Sequence, residues 1–182
     1  MKQLKGGMQQ CVGEKLGHGM KVCLDLLDPW RNAPGTRRVV CADSYFALVA
    51  TCIELYKHNF NFIGVIKNAA KQFPMEYLKG LELGMRGDHK SLVTFDEHKR
   101  AMLLAVLWVD RERRYFVGNS KGVDPREPQY HKRWQQVNKD DAFAPPEKVE
   151  MEIDQPKMVE TYYKTCSGMD ILNKQCQHDV EL

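Results

Sequence analysis

The sequence predicts an α/β fold with crossover connections, and three observations carry that reading. Val39-Val40-Cys41-Ala42 is a short uninterrupted apolar run between a loop and a polar residue. A strand covered on both faces reads this way. From Tyr45 to His58 the apolar residues Phe46, Val49, Ala50, Ile53, Leu55 and Tyr56 fall at helical spacing. Phe60, Phe62, Ile63, Val65 and Ile66 then make a second β-rich run, so strand, helix and strand alternate as in a parallel sheet.

The other elements follow in chain order. Residues 1–17 are aperiodic and glycine-containing, which marks a flexible entry. Val22, Cys23, Leu26 and Leu27 predict a helix over Met20–Asp28, stopped by Pro29, which has no N–H to donate. The stretch Arg31–Arg37, with Pro34 and Gly35, is a loop. Asn59 is placed to end the second helix. Beyond the connector Lys67–Phe73, Pro74 opens a short helix to Leu83, and Gly84, Gly87 and Asp88 break the chain. Met102–Val109 and Arg114–Gly118 read as a hairpin with a charged turn. Residues 119–148 read as a long polar loop with a short helix around Tyr130–Val137. Val149, Met151 and Ile153 alternate with acidic residues, an edge-strand pattern. Pro156 opens a last helix through Cys176, interrupted at Gly168.

With 43% hydrophobic and 28% charged residues the composition is globular, which argues against wholesale disorder. A chain of 182 residues is long enough for one domain with its own core. No apolar run reaches bilayer length, and no apolar stretch follows the first lysines as a secretory signal requires. The six cysteines show no framework spacing, so they read as free thiols in a reducing compartment. Charge is uneven: residues 1–85 carry a net +4, 86–139 a net +5 and 140–182 a net −6. A basic body with an acidic end allows a polyanion partner without requiring one.

Few residues are placed for chemistry. Asp43 stands at the carboxyl end of an apolar strand, where open α/β sheets bind ligands. Its carboxylate either holds a hard divalent cation or caps the helix that follows, and the local pattern alone favours the cap. Asp170 lies on the last helix, where it either approaches the same sheet rim or faces solvent. Cys166, Cys176 and His178 lack a zinc-finger spacing. Trp108 and Trp134 either stack on bases or pack structurally.

Read together, these blocks resemble the piggyBac transposable element-derived family. Val39-Val40-Cys41-Ala42-Asp43-Ser44-Tyr45-Phe46 is similar to that family's strand–Asp–Asn/Ser–aromatic–Phe signature. Phe62-Ile63-Gly64-Val65-Ile66-Lys67, with Pro74 after it, looks like the Gly-Thr-Val-Arg strand. Trp108-Val109-Asp110 resembles the Trp-x-Asp hairpin. In Pro156–Gln175, Tyr162-Tyr163-Lys164 stands for Tyr-Asn-Lys, Gly168-Met169-Asp170 for Gly-Val-Asp and Asn173-Lys174 for Asp-Gln.

The resemblance implies a ribonuclease-H-like fold and cut-and-paste DNA transposition by three aspartates with Mg²⁺ (or Mn²⁺). It also implies transposon-end DNA as partner and a nuclear location. Two ions roughly 3.5–4 Å apart would flank the scissile phosphate, held by carboxylates converging from separate elements. Asp43 corresponds to the second aspartate and Asp170 to the third. The match begins only at the loop and helix before Val39, and no strand–Asp block precedes it. Ser167-Gly168 and Asn173 replace Gly-Gly and Asp, and no cysteine-rich zinc tail follows.

The expectation is therefore an incomplete ribonuclease-H-like α/β domain missing its first strands. It comprises a flexible segment 1–17, a partial catalytic domain 18–178 with a hairpin and loop insertion over about 86–155, and a tail 179–182. Val39–Ala42 becomes an open sheet edge, and the chain is inactive alone and dependent on a missing N-terminal segment or a second transposase chain. The alternative is a non-catalytic DNA- or protein-binding module, with Lys67, Arg111, Arg113, Arg114, Lys132 and Arg133 as candidate phosphate contacts. A third reading is an active enzyme completed by a strand from elsewhere.

Overall fold

A computed structural model describes residues 17–31, 35, 37–67, 70–96, 101–120, 129–135 and 147–178. The chain opens with α1 (His18–Leu27), which runs into a 3-10 turn at Asp28–Trp30 where Pro29 occupies the first turn. Then come β1 (Arg38–Ala42), α2 (Val49–Lys57) and β2 (Phe60–Ile66). α3 (Met75–Lys79) is short, and β3 (His89–Phe95), β4 (Met102–Val109) and β5 (Arg113–Gly118) follow. β6 (Gln129–Gln135), β7 (Glu147–Ile153) and the long α4 (Lys157–His178) complete the order.

The five strands β1 to β5 form one sheet in the order β1-β2-β5-β4-β3. β1 and β2 are parallel, joined by α2 as the crossover, and the remaining pairs are antiparallel. β1 stands at one edge, the place the sequence reading gives Val39–Ala42. The expected hairpin is present, and β5 pairs with β2, so its strands extend the central sheet.

Alternation along the strands makes two cores. Phe60, Phe62, Leu103, Leu107 and Val117 pack with Leu24, Cys52, Leu55 and Leu78 of the first three helices. Ile63, Val106, Trp108 and Phe116 pack on the opposite face with Ile153 and with Met158, Val159 and Tyr162 of α4. The side chains of β1 are split the same way, Val40 and Ala42 toward the first core and Val39 and Cys41 toward the second. β1 remains only half-buried, whereas β2 is buried almost throughout.

Two expectations need correction, and one strand is new. α2 begins at Val49 and not at Tyr45, because the carbonyl of Asp43 accepts from the Phe46 and Ala47 N–H groups and winds residues 44–46 into a turn. The segment read as a helix around Tyr130–Val137 is the strand β6, antiparallel to β7. His89–Phe95, to which the sequence reading assigns no element, is the edge strand β3. Asn59 does end α2, with φ at 67°, and α4 runs through Gly168 without a break. The expected flexible segment and tail lie almost wholly outside the described residues.

Candidate functional site

Asp43 follows directly on β1, at the sheet end where β2 also finishes. It is exposed, and its Oδ1 accepts a hydrogen bond from the Tyr45 N–H at 3.0 Å. The carboxylate thus braces its own turn instead of capping α2, whose N-cap is Leu48 with no side-chain hydrogen bond. One oxygen is committed to that bond, and the group still faces solvent.

α4 lies over this corner. Tyr162 packs edge-on against Phe116, with ring centroids 5.5 Å apart. Burial holds its hydroxyl well above the usual phenol range, helped by a hydrogen bond with Cys166 and by the negative charge of Asp43. Asp43 is therefore within electrostatic reach of α4. Burial likewise raises the Cys41 thiol, against the opposing effect of a hydrogen bond from Thr165, with Cys166 beside it. Tyr162, Cys166 and Asp170 follow one another at i, i+4 and i+8 along α4, which puts them on one helical stripe. The helix at Asp170 is described, and its side chain lies outside the described residues.

The basic candidates separate on inspection. Lys67 is exposed just past β2, and Arg111 is exposed in the β4–β5 turn at the same sheet end. Arg113 is a structural clamp: its guanidinium donates to the carbonyls of Lys79 (2.9 Å), Leu81 (3.0 Å) and Leu83 (2.8 Å). Arg114 pairs with Glu112 at 3.3 Å. In the β6–β7 register Lys132 stands opposite Glu150 and Arg133 opposite Val149, and both side chains lie outside the described residues. Trp108 is a core residue, 2% exposed, with its indole N–H donating to the Asp154 carbonyl at 2.8 Å. The Trp134, Cys176 and His178 side chains lie outside the described residues.

A hard divalent cation asks for several oxygen ligands. Among the described residues no group of three His, Cys, Asp or Glu side chains is placed to hold a metal. Asp43 offers one carboxylate, and the thiols beside it are donors for softer metals. The described residues do not by themselves fit Mg²⁺. Sequence reasoning missed Tyr162 and the Cys41–Cys166 neighbourhood, although the i, i+4 spacing of 162 and 166 was a signal for them.

A family model described as Transposase IS4 matches residues 3–180, nearly the whole chain. The chain belongs to the transposase IS4 family. Among solved structures, a piggyBac transposase synaptic complex with hairpin DNA, seen by cryo-EM, is similar at a TM-score of 0.57 and 19% identity. That likeness covers 97% of this chain and 30% of that one, so the chain spans less than a third of the solved transposase. It bears out the ribonuclease-H-like α/β fold expected of this transposase-family chain. No curated protein matches the chain. Among the described residues of this transposase-family chain no helix is long and apolar enough to cross a membrane.

Proposed function

We propose that the chain is part of a DNA transposase catalytic core, with Asp43 and Asp170 as two of three metal-binding aspartates, and that it does not cut DNA unaided. The observation that carries this reading is the corner itself. An exposed carboxylate ends β1 beneath α4, the helix that carries Asp170, in a chain of a transposase family. Bound divalent metal would supply activation of the attacking hydroxyl and charge stabilisation at phosphorus. Asp43 would serve as an oxygen ligand and Tyr162 would help seat α4 against β1. Two carboxylates leave such a site one short, so ion binding is weak and the phosphate poorly held. Transposon-end DNA is the partner this reading implies, and a nuclear location follows from it.

The test is a nicking assay on end-containing DNA with Mg²⁺ or Mn²⁺. The expected result is no strand cleavage by the chain alone. Robust cutting that Asp43→Ala abolishes would overturn the claim of inactivity.

A second reading, a DNA-binding module without catalysis, draws on Lys67 and Arg111, both exposed at the same end of the sheet as Asp43. Under it, Asp43→Asn leaves affinity equal or higher, because a negative charge near the phosphates is removed, and added salt weakens binding steeply.

A further inference from the structure

We propose that Tyr45 is a stacking platform for an unpaired DNA base at the rim where Asp43 stands, and that it positions the strand beside that carboxylate. The inference rests on the transposase reading above and deepens it. Tyr45 is 62% exposed, the most exposed aromatic side chain among the described residues. It is nonetheless held in place. Its backbone N–H donates to Asp43 Oδ1 at 3.0 Å, which ties it to the carboxylate two residues before it. Phe46 packs against its ring in a T-shape, with centroids 4.9 Å apart and planes at 86°. A Cβ on Gly19 would come 3.4 Å from a carbon of the Tyr45 ring, so α1 backs the ring at a residue without a side chain. The core at this turn is closed by the buried Ala47, not by Tyr45. Trp108, by contrast, is buried and has no face to offer a base.

An anchored ring with most of its surface open offers a π-face, and every base can stack on such a face. A base inside a duplex has both faces covered by its neighbours, so the ligand is an unpaired or flipped-out base. Lys67 and Arg111 are exposed at the same end of the sheet and suit the phosphates that flank it. Asp43 repels those phosphates when no cation is bound. Stacking on Tyr45 adds affinity at this rim that does not depend on charge. The role is one of positioning, since no bond is made or broken at the ring.

The experiment measures binding of the full chain to fluorescein-labelled DNA by anisotropy at low salt, with EDTA present so that metal plays no part. The probes are a mixed-sequence single-stranded oligonucleotide and the same sequence as a fully paired duplex. Tyr45→Ala should weaken single-strand binding about tenfold and leave duplex binding within about twofold. Tyr45→Leu, which keeps an apolar contact over Gly19, should match Tyr45→Ala and stands in for it if that variant fails to fold. Tyr45→Phe and Tyr45→Trp should bind as the wild type does, and single-stranded DNA should quench the emission of the added tryptophan. Single-strand binding that survives Tyr45→Ala but is weakened by Lys67→Ala and Arg111→Ala would overturn the stacking role and leave the DNA reading standing. Equal losses on both probes, or full binding by Tyr45→Leu, would also overturn it. Binding of neither probe by the wild-type chain would overturn this role and the DNA reading together.

Discussion

At Gly64 a Cβ would sit 2.7 Å from the Cβ of Ala47 and 2.9 Å from the Phe62 ring, in the layer where the turn after Asp43 meets β2. At Gly118 it would sit 2.6 Å from the Phe62 carbonyl and 2.9 Å from Met158 Sδ, so the backbones of β5 and β2 would have to part. Overpacking of this kind costs about 1–3 kcal/mol, and Gly64→Ala and Gly118→Ala should each lower the urea midpoint accordingly. Arg113 makes the opposite case, a charged side chain whose work is local. Its three bonds hold the chain after α3, so Arg113→Ala should open residues 79–83 to proteolysis and cost about 1–2 kcal/mol. A loss of DNA affinity with unchanged protease resistance would contradict that. Burial pushes the Cys52 thiol up to about 12, so it should resist alkylation at pH 8 until the chain unfolds. Stability held by that raised pKa is full below the ordinary thiol value of 9.0 and falls as pH rises above it.

Between elements, buried polar groups do the joining. Asn119 Oδ1 accepts from the Phe62 N–H at 2.7 Å and its Nδ2 donates to the Cys52 carbonyl at 3.5 Å, so one side chain ties β5 to β2 and α2. Asn119→Ala should leave a buried N–H without a partner and cost about 1–3 kcal/mol in chemical denaturation. In the first turn of α4, Lys157 and Lys164 hold Glu160 below its usual carboxylate range. A depressed carboxylate stabilises fully above its unfolded value, 4.5, and loses that contribution as pH falls through the folded one. Glu160→Gln should therefore flatten the acid limb of the stability profile, and an unchanged limb would contradict this. The same scale shows what the sequence reveals. β1, β2, β4 and β5 are legible because apolar side chains run along them, and α1 and α4 because theirs recur every three to four residues. β3 is hidden because an edge strand mixes Lys90, Ser91 and Thr94 with Leu92 and Val93 and needs no clean period. β6 is hidden because Tyr130, Trp134 and Val137 fit a helical spacing equally well, and only pairing with β7 decides against it.

For the whole molecule, the topology brings the ends of β1 and β2 and the β4–β5 turn to one rim, with α4 crossing behind it. That rim collects Asp43, Lys67 and Arg111 from stretches the sequence shows as unconnected. Asp43 was legible because a strand-ending carboxylate has a positional meaning. Its neighbours Tyr162 and Cys166 were not, because they depend on where α4 lands. The central claim is that Asp43 and Asp170, far apart along the chain, share this rim as metal-binding carboxylates. Manganese titrated into the isotope-labelled chain tests it most directly, through paramagnetic broadening of backbone amide resonances. The account predicts broadening at low metal occupancy in two stretches together, residues 43–46 and the turn of α4 around Asp170, both abolished by Asp43→Asn. Broadening at one stretch without the other, or at neither, would contradict it.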